Sequence, residues 1–283
     1  TTVHSEAAEP AAQPIQPQPQ IAPQIQPAAA AQPSSPQPPA ATSHLTGSQI
    51  ARANDMDTGA AALTFENFII GDSNRLAYSM AVSVAESPGK STLNPLFIYG
   101  KSGLGKTHLL RAIQNYILET RPDMRVVYID AQEFITEYSI AAIDHSKDKS
   151  SFQAFQSRYL DADALLIDDV QYFQGKSATV NIVFQLFNRL TDAGKQVVLS
   201  ADRSPKSIDI DERYKSRFNS GGTYDIQPPE VETKLGIIKS FIEEYKRSEG
   251  SWDLYVPEDI QMYIAEISSS VSYTHLTLPT KLE

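Results

Sequence analysis

The segment that most constrains the fold is a glycine-rich octapeptide at residues 100–107, Gly-Lys-Ser-Gly-Leu-Gly-Lys-Thr. It fits the pattern G-x-x-x-x-G-K-[ST], in which backbone N–H groups of a loop and of a helix N-terminus point at phosphate oxygens. The pattern needs a strand before the loop and a helix after it. Both are predicted, the strand from the apolar run Leu96–Tyr99 and the helix from the spacing of Leu109, Ile113 and Ile117. The octapeptide therefore predicts a nucleoside triphosphate site.

The chemistry of this loop assigns roles to its last two residues. The ammonium group of Lys106 is expected to reach the β- and γ-phosphates, and the hydroxyl of Thr107 is expected to ligate Mg²⁺. Glycine lets the backbone approach the phosphates where a Cβ would intrude. The predicted nucleotide contacts are Gly100, Ser102, Gly103, Leu104, Gly105, Lys106, Thr107 and His108.

An apolar run at residues 164–167 ends in two acids, Asp168 and Asp169. Ligands of parallel α/β sheets bind at the carboxyl ends of the strands, so the pair is expected at the phosphate site. Asp168 is predicted to hold Mg²⁺, mostly through water, and Asp169 to orient or deprotonate the attacking water. Taken without the glycine-rich loop, the pair is equally compatible with capping of a loop.

The spacing of the two motifs indicates the class of NTPase. Lys106 and Asp168 lie 62 positions apart, and the strand predicted at residues 125–129 falls between them. The acidic strand is therefore not expected beside the loop strand, which favours additional-strand ATPases over Ras-like GTPases. Residues 196–200 are then expected beside the loop strand, and Asp202, just beyond them, would face the γ-phosphate. The alternative for Asp202 is a plain turn residue.

Strand and helix patterns alternate from residue 63 to residue 226, which predicts an α/β fold with a five-stranded parallel sheet covered by helices on both faces. After Pro228-Pro229 only helical patterns follow, which predicts a small helical subdomain. The predicted organisation is a disordered Pro/Gln/Ala-rich linker at 1–62, a nucleotide-binding core at 63–228, a truncated helical lid at 229–270 and a non-native tail at 271–283.

Composition narrows the remaining function classes. The chain has no cysteine, which excludes disulfides, thiolate metal sites and cysteine nucleophiles. No apolar run is long enough to span a membrane, and the N-terminus does not resemble a signal peptide, so a cytoplasmic protein is expected. The net charge is −10, and no strongly basic domain is present. Ten of the 18 prolines lie in residues 1–44, which predicts a disordered segment. Such a segment would be a spacer between domains or, alternatively, a dispensable tail.

The motifs together resemble one family, the DnaA-type bacterial chromosomal replication initiators, which are AAA+ ATPases. The resemblance covers about residues 63–271. It is carried by the segments Asn94–Gly100, Gly103–Leu110, Leu165–Gln171, Gly194–Leu199 and Arg213–Phe218.

This resemblance implies further site residues. Thr64–Ile70 matches the segment that contacts adenine, which makes Phe65, Asn67 and Phe68 candidates. Asp202 matches the first sensor position. Arg217 matches the arginine finger, which reaches the ATP of the neighbouring subunit, and Arg213 in the same helix is expected to support that contact.

The resemblance also implies ATP and Mg²⁺ as cofactors and a set of partners. The ATP-bound form is expected to assemble head-to-tail on the replication origin and to promote duplex opening, and slow hydrolysis is expected to reset it. Duplex recognition by a C-terminal domain and helicase contact through an N-terminal domain are expected of regions absent from this chain. Contact with single-stranded DNA near Lys176 and with anionic lipid is implied by the resemblance alone.

One position and one segment depart from the family pattern. Ala178 stands where some members carry arginine, which weakens the expectation of single-strand binding. Residues 272–280 show neither the arginine nor the helical period of the family's second sensor.

Two alternatives keep the fold and change the role. One is a helicase loader or initiator regulator, and the other is a nucleotide-gated assembly module without useful turnover.

Overall fold

The computed structural model describes residue 1 and residues 63–145, 149–250 and 253–268. Five parallel strands form one sheet in the order β2-β3-β4-β1-β5. Their bounds are β1 Leu96–Tyr99, β2 Val126–Asp130, β3 Ala164–Asp168, β4 Gln196–Ala201 and β5 Gly222–Asp225. The helices are α1 Arg75–Glu86, α2 Lys106–Thr120, α3 Ala131–His145, α4 Lys149–Leu160, α5 Ser177–Asp192, α6 Glu212–Phe218, α7 Val231–Glu249 and α8 Glu258–Ile267.

The strand order confirms the prediction from motif spacing. Strand β4 lies between the loop strand β1 and the acidic strand β3. In this register Phe97 pairs with Leu199, and Leu199 pairs with Ile167. Because all five strands run parallel, the loops that follow β1, β3 and β4 meet at one edge of the sheet.

Alternate strand residues feed two apolar layers, one on each face of the sheet. On one face Leu96, Ile98 and Leu166 pack against α1 and α2. On the other face Phe97 and Ile167 pack against α3, α4, α5 and α6. The central strands β3 and β4 are buried along their whole length and are mostly apolar, as expected inside a parallel sheet.

The first helix begins later than its sequence suggests. Asp72 and Ser73 are residue types that cap helices, and the sequence predicts that one of them caps this helix. In the structure α1 begins at Arg75, and Asn74 is the capping residue. The Asn74 side chain accepts a hydrogen bond from the N–H of Gly71 and donates one to the carbonyl of Ile69. This buried amide therefore closes the turn before the helix and delays its start.

Helices α7 and α8 form a small separate apolar cluster around Ile238, Ile242 and Ala265. The segment before α1 packs closely on this unit, since a Cβ at Gly71 would lie 2.0 Å from the Thr233 hydroxyl oxygen. Glycine is therefore required where the core meets α7. The linker predicted at 1–62 and the tail predicted at 271–283 lie outside the described residues, apart from residue 1. Within the described ranges no helix has the length and apolarity to cross a membrane.

Candidate nucleotide site

The glycine-rich loop turns sharply from β1 into α2. Gly103 and Gly105 adopt left-handed backbone conformations, with φ of 79° and 98°. A Cβ at Gly105 would lie 2.9 Å from the ring of Phe68. Gly105 is therefore needed both for its backbone conformation and for the close approach of this ring. It is the residue that caps α2, which begins at Lys106 and presents its N-terminus to the loop.

Lys106 lies beneath the loop rather than in open solvent. Its side chain is buried, and its ammonium group donates a 3.2 Å hydrogen bond to the carbonyl oxygen of Lys101. This contact places the positive charge inside the curve of the loop. A triphosphate in the cleft would be a stronger partner, because phosphate oxygens form charge-assisted hydrogen bonds.

Asp168 is the centre of the polar network at the sheet edge and is only 2% exposed. Its Oδ2 atom accepts hydrogen bonds from the hydroxyl of Thr107 at 2.6 Å and from that of Tyr128 at 2.9 Å. Its Oδ1 atom accepts hydrogen bonds from the Ser200 hydroxyl and from the Asp169 N–H group. These four donors satisfy a buried carboxylate that would otherwise be costly to desolvate.

Two of these donors, Tyr128 and Ser200, were missed in the sequence. Ser200 is completely buried at the end of an apolar strand, and this polar residue in the run Val197–Ala201 was the available signal. Tyr128 gave no distinct signal, because aromatic residues are common in strands. Burial, followed by the charge of Asp168, raises the pKa of the Tyr128 hydroxyl well above its usual range. The guanidinium of Arg111 lies 3.5 Å from the centre of the Tyr128 ring.

Asp169 lines the cleft in a strained backbone conformation. Its φ of 55° and ψ of 47° lie in the left-handed region, which costs a non-glycine residue about 1–3 kcal/mol. The Ser200 hydroxyl accepts a 3.0 Å hydrogen bond from the Asp169 N–H group and stabilises this turn. Burial raises the pKa of the Asp169 carboxyl group, and a hydrogen bond from Gln171 opposes that shift.

Asp202 lines the same cleft just beyond β4. Arg203 donates two hydrogen bonds of 2.7 Å to it, one to each carboxylate oxygen. These bonds are the largest cause of a lowered Asp202 pKa. The structure therefore brings Asp202 to the cleft as an ionised side chain that is already paired within the chain.

The cleft has a volume of about 540 Å³ and extends from the loop towards α7. Its lining also includes Asn67, Phe68, Ile226 and Ile237. Of the three residues predicted to contact adenine, Asn67 and Phe68 line the cleft and Phe65 does not. Phe65 is buried behind the cleft, edge-on to Tyr78 and Tyr116.

The other predicted loop residues also occupy distinct positions. Ser102, Gly103, Leu104, Gly105, Lys106, Thr107 and His108 line the cleft. Gly100 does not, since its backbone continues β1 by donating to the Ala201 carbonyl. His108 is buried, and its Nε2 atom lies 2.7 Å from the carbonyl oxygen of Thr64. Burial lowers the pKa of this imidazole.

The residues predicted to meet partners lie outside the cleft. Arg217 is exposed on α6, and no side-chain hydrogen bond or ion pair holds it within the described ranges. Arg213 is exposed on the same helix but is held by an ion pair with Asp211 at 3.3 Å and lies 4.8 Å from the Tyr214 ring centre. Lys176 is exposed immediately before α5. These positions leave Arg217 as the less constrained of the two arginines.

The fold and the site together define a class of protein. A sheet in which one strand separates the phosphate-loop strand from the acidic strand is the additional-strand arrangement of AAA+ ATPases. The chain matches the family described as the bacterial DnaA ATPase domain over residues 60–225, more than half of its length. It therefore belongs to that family.

Individual relatives agree with this assignment. The chromosomal replication initiator protein DnaA of Symbiobacterium thermophilum is 44% identical over 203 residues, which cover 71% of this chain and 42% of the relative. The solved domain III of the Thermotoga maritima replication initiation protein DnaA is 38% identical with a TM-score of 0.64, covering 73% of this chain and 81% of that one. A replication initiator DnaA bound to AMPPCP and single-stranded DNA is 34% identical with a TM-score of 0.62, covering 76% and 62%. The chain spans about two fifths of the length of the curated relatives it matches.

Proposed function

We propose that this chain is the ATP-dependent switch of a chromosomal replication initiator, in which bound ATP permits head-to-tail assembly at the origin and slow hydrolysis ends it. The observation that carries this proposal is the meeting of Lys106, Thr107, Asp168 and Asp202 at one sheet edge, with Arg217 exposed outside the cleft. Family membership and the AMPPCP bound to a relative support ATP as the nucleotide.

The cleft suits ATP in its charge and in its shape. The N–H groups at the start of α2 and the ammonium of Lys106 would bind the phosphates. The apolar lining residues Phe68, Ile226 and Ile237 would hold the base, since such side chains pack against planar rings. Phe65 would support Phe68 from behind rather than contact the nucleotide.

The residues at the sheet edge also fit magnesium. Thr107 and Asp168 present a hydroxyl and a carboxylate oxygen 2.6 Å apart, and these are ligand types that Mg²⁺ prefers. Within the described ranges no group of three histidine or acidic side chains forms a metal cage, so the ion would arrive with the phosphates. Bound there, it would offset the negative charge of the β- and γ-phosphate oxygens.

Asp169 is the candidate base for hydrolysis. A water oxygen would bond to the γ-phosphorus as the bond from that phosphorus to the bridging oxygen breaks, and ADP would leave with the electron pair. The proton released by water would pass to the Asp169 carboxylate. Asp202 would respond to the γ-phosphate from the end of β4. Slow turnover is expected, because aspartate is one methylene shorter than the glutamate common in fast AAA+ motors.

Arg217 would complete the site of a neighbouring subunit. Its planar guanidinium can neutralise γ-phosphate charge bidentately. Within the described residues of its own chain, no side-chain hydrogen bond or ion pair holds this guanidinium. One face of each subunit would then meet a different face of the next, which produces an open helical assembly unless the rotation closes it. Lys176 would contribute to single-strand contact, in keeping with the DNA bound to a relative. Helicase and anionic-lipid contacts are expectations that rest on the family resemblance alone.

Mixing two inactive variants tests this proposal. Lys106→Ala should lack a working nucleotide site but still offer Arg217, and Arg217→Ala should lack only the shared arginine. Each variant alone should hydrolyse ATP more slowly than the wild type. In a 1:1 mixture, a complete site forms where the intact nucleotide site of an Arg217→Ala subunit meets the Arg217 of a Lys106→Ala subunit. This arrangement occurs at about one interface in four, so activity should recover there. The control mixture pairs Arg217→Ala with a Lys106→Ala/Arg217→Ala double variant, which offers no arginine. Recovery no greater than in this control would contradict a site shared between subunits.

A further inference from the structure

Gln171 connects the two acidic loops of the site through both ends of its side-chain amide. Its Nε2 atom donates a 3.1 Å hydrogen bond to Asp169 Oδ1. Its Oε1 atom accepts a 3.1 Å hydrogen bond from the N–H group of Asp202. Gln171 lies on the short 3₁₀ helix Val170–Phe173 and lines the cleft. One half-buried side chain therefore spans from the end of β3 to the end of β4 within the site.

The two ends of this bridge act on different features. Asp169 has an unusual left-handed backbone, so its carboxylate direction depends on the contacts around it. The bond from Gln171 occupies Oδ1 and leaves Oδ2 as the atom that can accept a proton from water. At the other end, the bond to the Asp202 N–H group holds the turn that carries the Asp202 side chain. The Gln171 amide therefore links the Asp169 side chain directly to the Asp202 backbone.

We propose that Gln171 is a positioning residue that couples Asp169, the base, to Asp202, which faces the γ-phosphate. This inference rests on the proposed function and deepens it. Both bonds are already formed in the structure, so a movement of the Asp202 turn when the γ-phosphate binds would change the orientation of Asp169 through Gln171. In the hydrolysis step, Gln171 exchanges no atoms and accepts no proton. Its effect is on the fraction of bound ATP for which Asp169 Oδ2 faces the water.

The test compares three single variants by kcat, KM for ATP, the equilibrium Kd for ATP and the thermal midpoint. Gln171→Leu removes both bonds at similar size. Gln171→Glu keeps an acceptor for the Asp202 N–H group but sets a carboxylate oxygen against Asp169 Oδ1. Gln174→Leu is the matched control, since Gln174 is an exposed glutamine just after the same 3₁₀ helix and does not line the cleft.

Both Gln171 variants should lose about ten- to a hundred-fold in kcat, within the contribution typical of a general base, while Kd and KM change less than about three-fold. The control should retain wild-type kcat. Wild-type kcat in Gln171→Glu would overturn the inference, because the donor to Asp169 would then be dispensable. A parallel loss of ATP binding and thermal midpoint would also overturn it, because Gln171 would then serve only the fold.

A double-variant cycle separates positioning from general support. If Gln171 acts through Asp169, then Gln171→Leu should change kcat by less than about two-fold in an Asp169→Asn background. An undiminished loss in that background would contradict the coupling. A wild-type chain that binds no ATP would refute the proposed function itself, whereas active wild type with unaffected Gln171 variants would refute only this inference.

Discussion

The hydroxyl of Thr107 donates a 2.6 Å hydrogen bond to Asp168 Oδ2 and joins the first turn of α2 to the end of β3. The two residues are 61 positions apart in sequence and meet only because β1 and β3 present their carboxyl ends at the same edge. Thr107 is exposed to the cleft, whereas Asp168 is buried behind it. The pair therefore marks where a cation carried by the nucleotide would contact the protein.

Replacing Thr107 should separate magnesium dependence from nucleotide binding. Thr107→Val keeps the shape but removes the hydroxyl, so Mg²⁺ should no longer strengthen ATP binding by more than about two-fold. Thr107→Ser keeps the hydroxyl and should retain the magnesium effect. Titration calorimetry with ATP in the presence of Mg²⁺ or EDTA measures both. An unchanged magnesium effect in Thr107→Val would exclude this hydroxyl as a ligand.

Removing the Ser200 hydroxyl should destabilise the fold. Ser200→Ala leaves the buried Asp168 with one donor fewer and the Asp169 N–H group with Asp168 Oδ1 as its remaining side-chain acceptor. The free energy of unfolding should fall by about 1–3 kcal/mol. Ser204→Ala, which removes a solvent-exposed contact between the Ser204 and Ser207 hydroxyl groups, should change it by less than about 0.5 kcal/mol. Equal denaturation midpoints for the two variants would show that the Ser200 contacts contribute nothing to stability.

His108 should make stability depend on pH. Burial lowers its folded-state pKa, so the unfolded chain binds a proton first as the pH falls below about 6.5. The free energy of unfolding should therefore decrease from pH 7.5 to 5.5. His108→Gln should reduce that decrease, and urea denaturation at both pH values measures it. The same pH slope in the variant would mean that the titration of His108 is not the cause.

Lengthening the side chain of Asp169, the candidate general base, tests why ATP hydrolysis would be slow. Asp169→Glu extends the carboxylate by one methylene and should raise the rate of ATP hydrolysis, whereas Asp169→Asn should lower it by about 10²-fold or more. Single-turnover hydrolysis under saturating ATP compares the variants without the influence of binding. If Asp169→Glu and the wild type hydrolyse ATP at the same rate, the length of this side chain does not limit turnover.

Much of the fold could be predicted because its signals are local. Apolar runs fixed the strands, and the 62-residue spacing between Lys106 and Asp168 correctly placed β4 beside β1. The start of α1 was predicted too early, because the buried amide of Asn74 bonds to Gly71 and Ile69 instead of letting an earlier residue cap the helix.

The supporting residues of the site could not be predicted to the same extent. Tyr128, Gln171 and Ser200 become functional candidates only through contacts made across three strand ends. Phe65 and Phe68 belong to one short motif, yet the chain turns so that only Phe68 lines the cleft. Sequence spacing does not specify that turn, and the roles assigned to the site residues remain predictions.

Binding of ATP by matched lysine variants tests the central claim most directly. Lys106 is buried under the loop, whereas Lys101 is exposed on it and contributes its carbonyl oxygen to Lys106. Calorimetric titration of the 283-residue chain with ATP and Mg²⁺ should show one saturable site. Lys106→Ala should weaken it at least about ten-fold, or 1.4 kcal/mol, and Lys101→Ala by less than about three-fold. Wild-type affinity in Lys106→Ala, or no binding by the unaltered chain, would contradict the account.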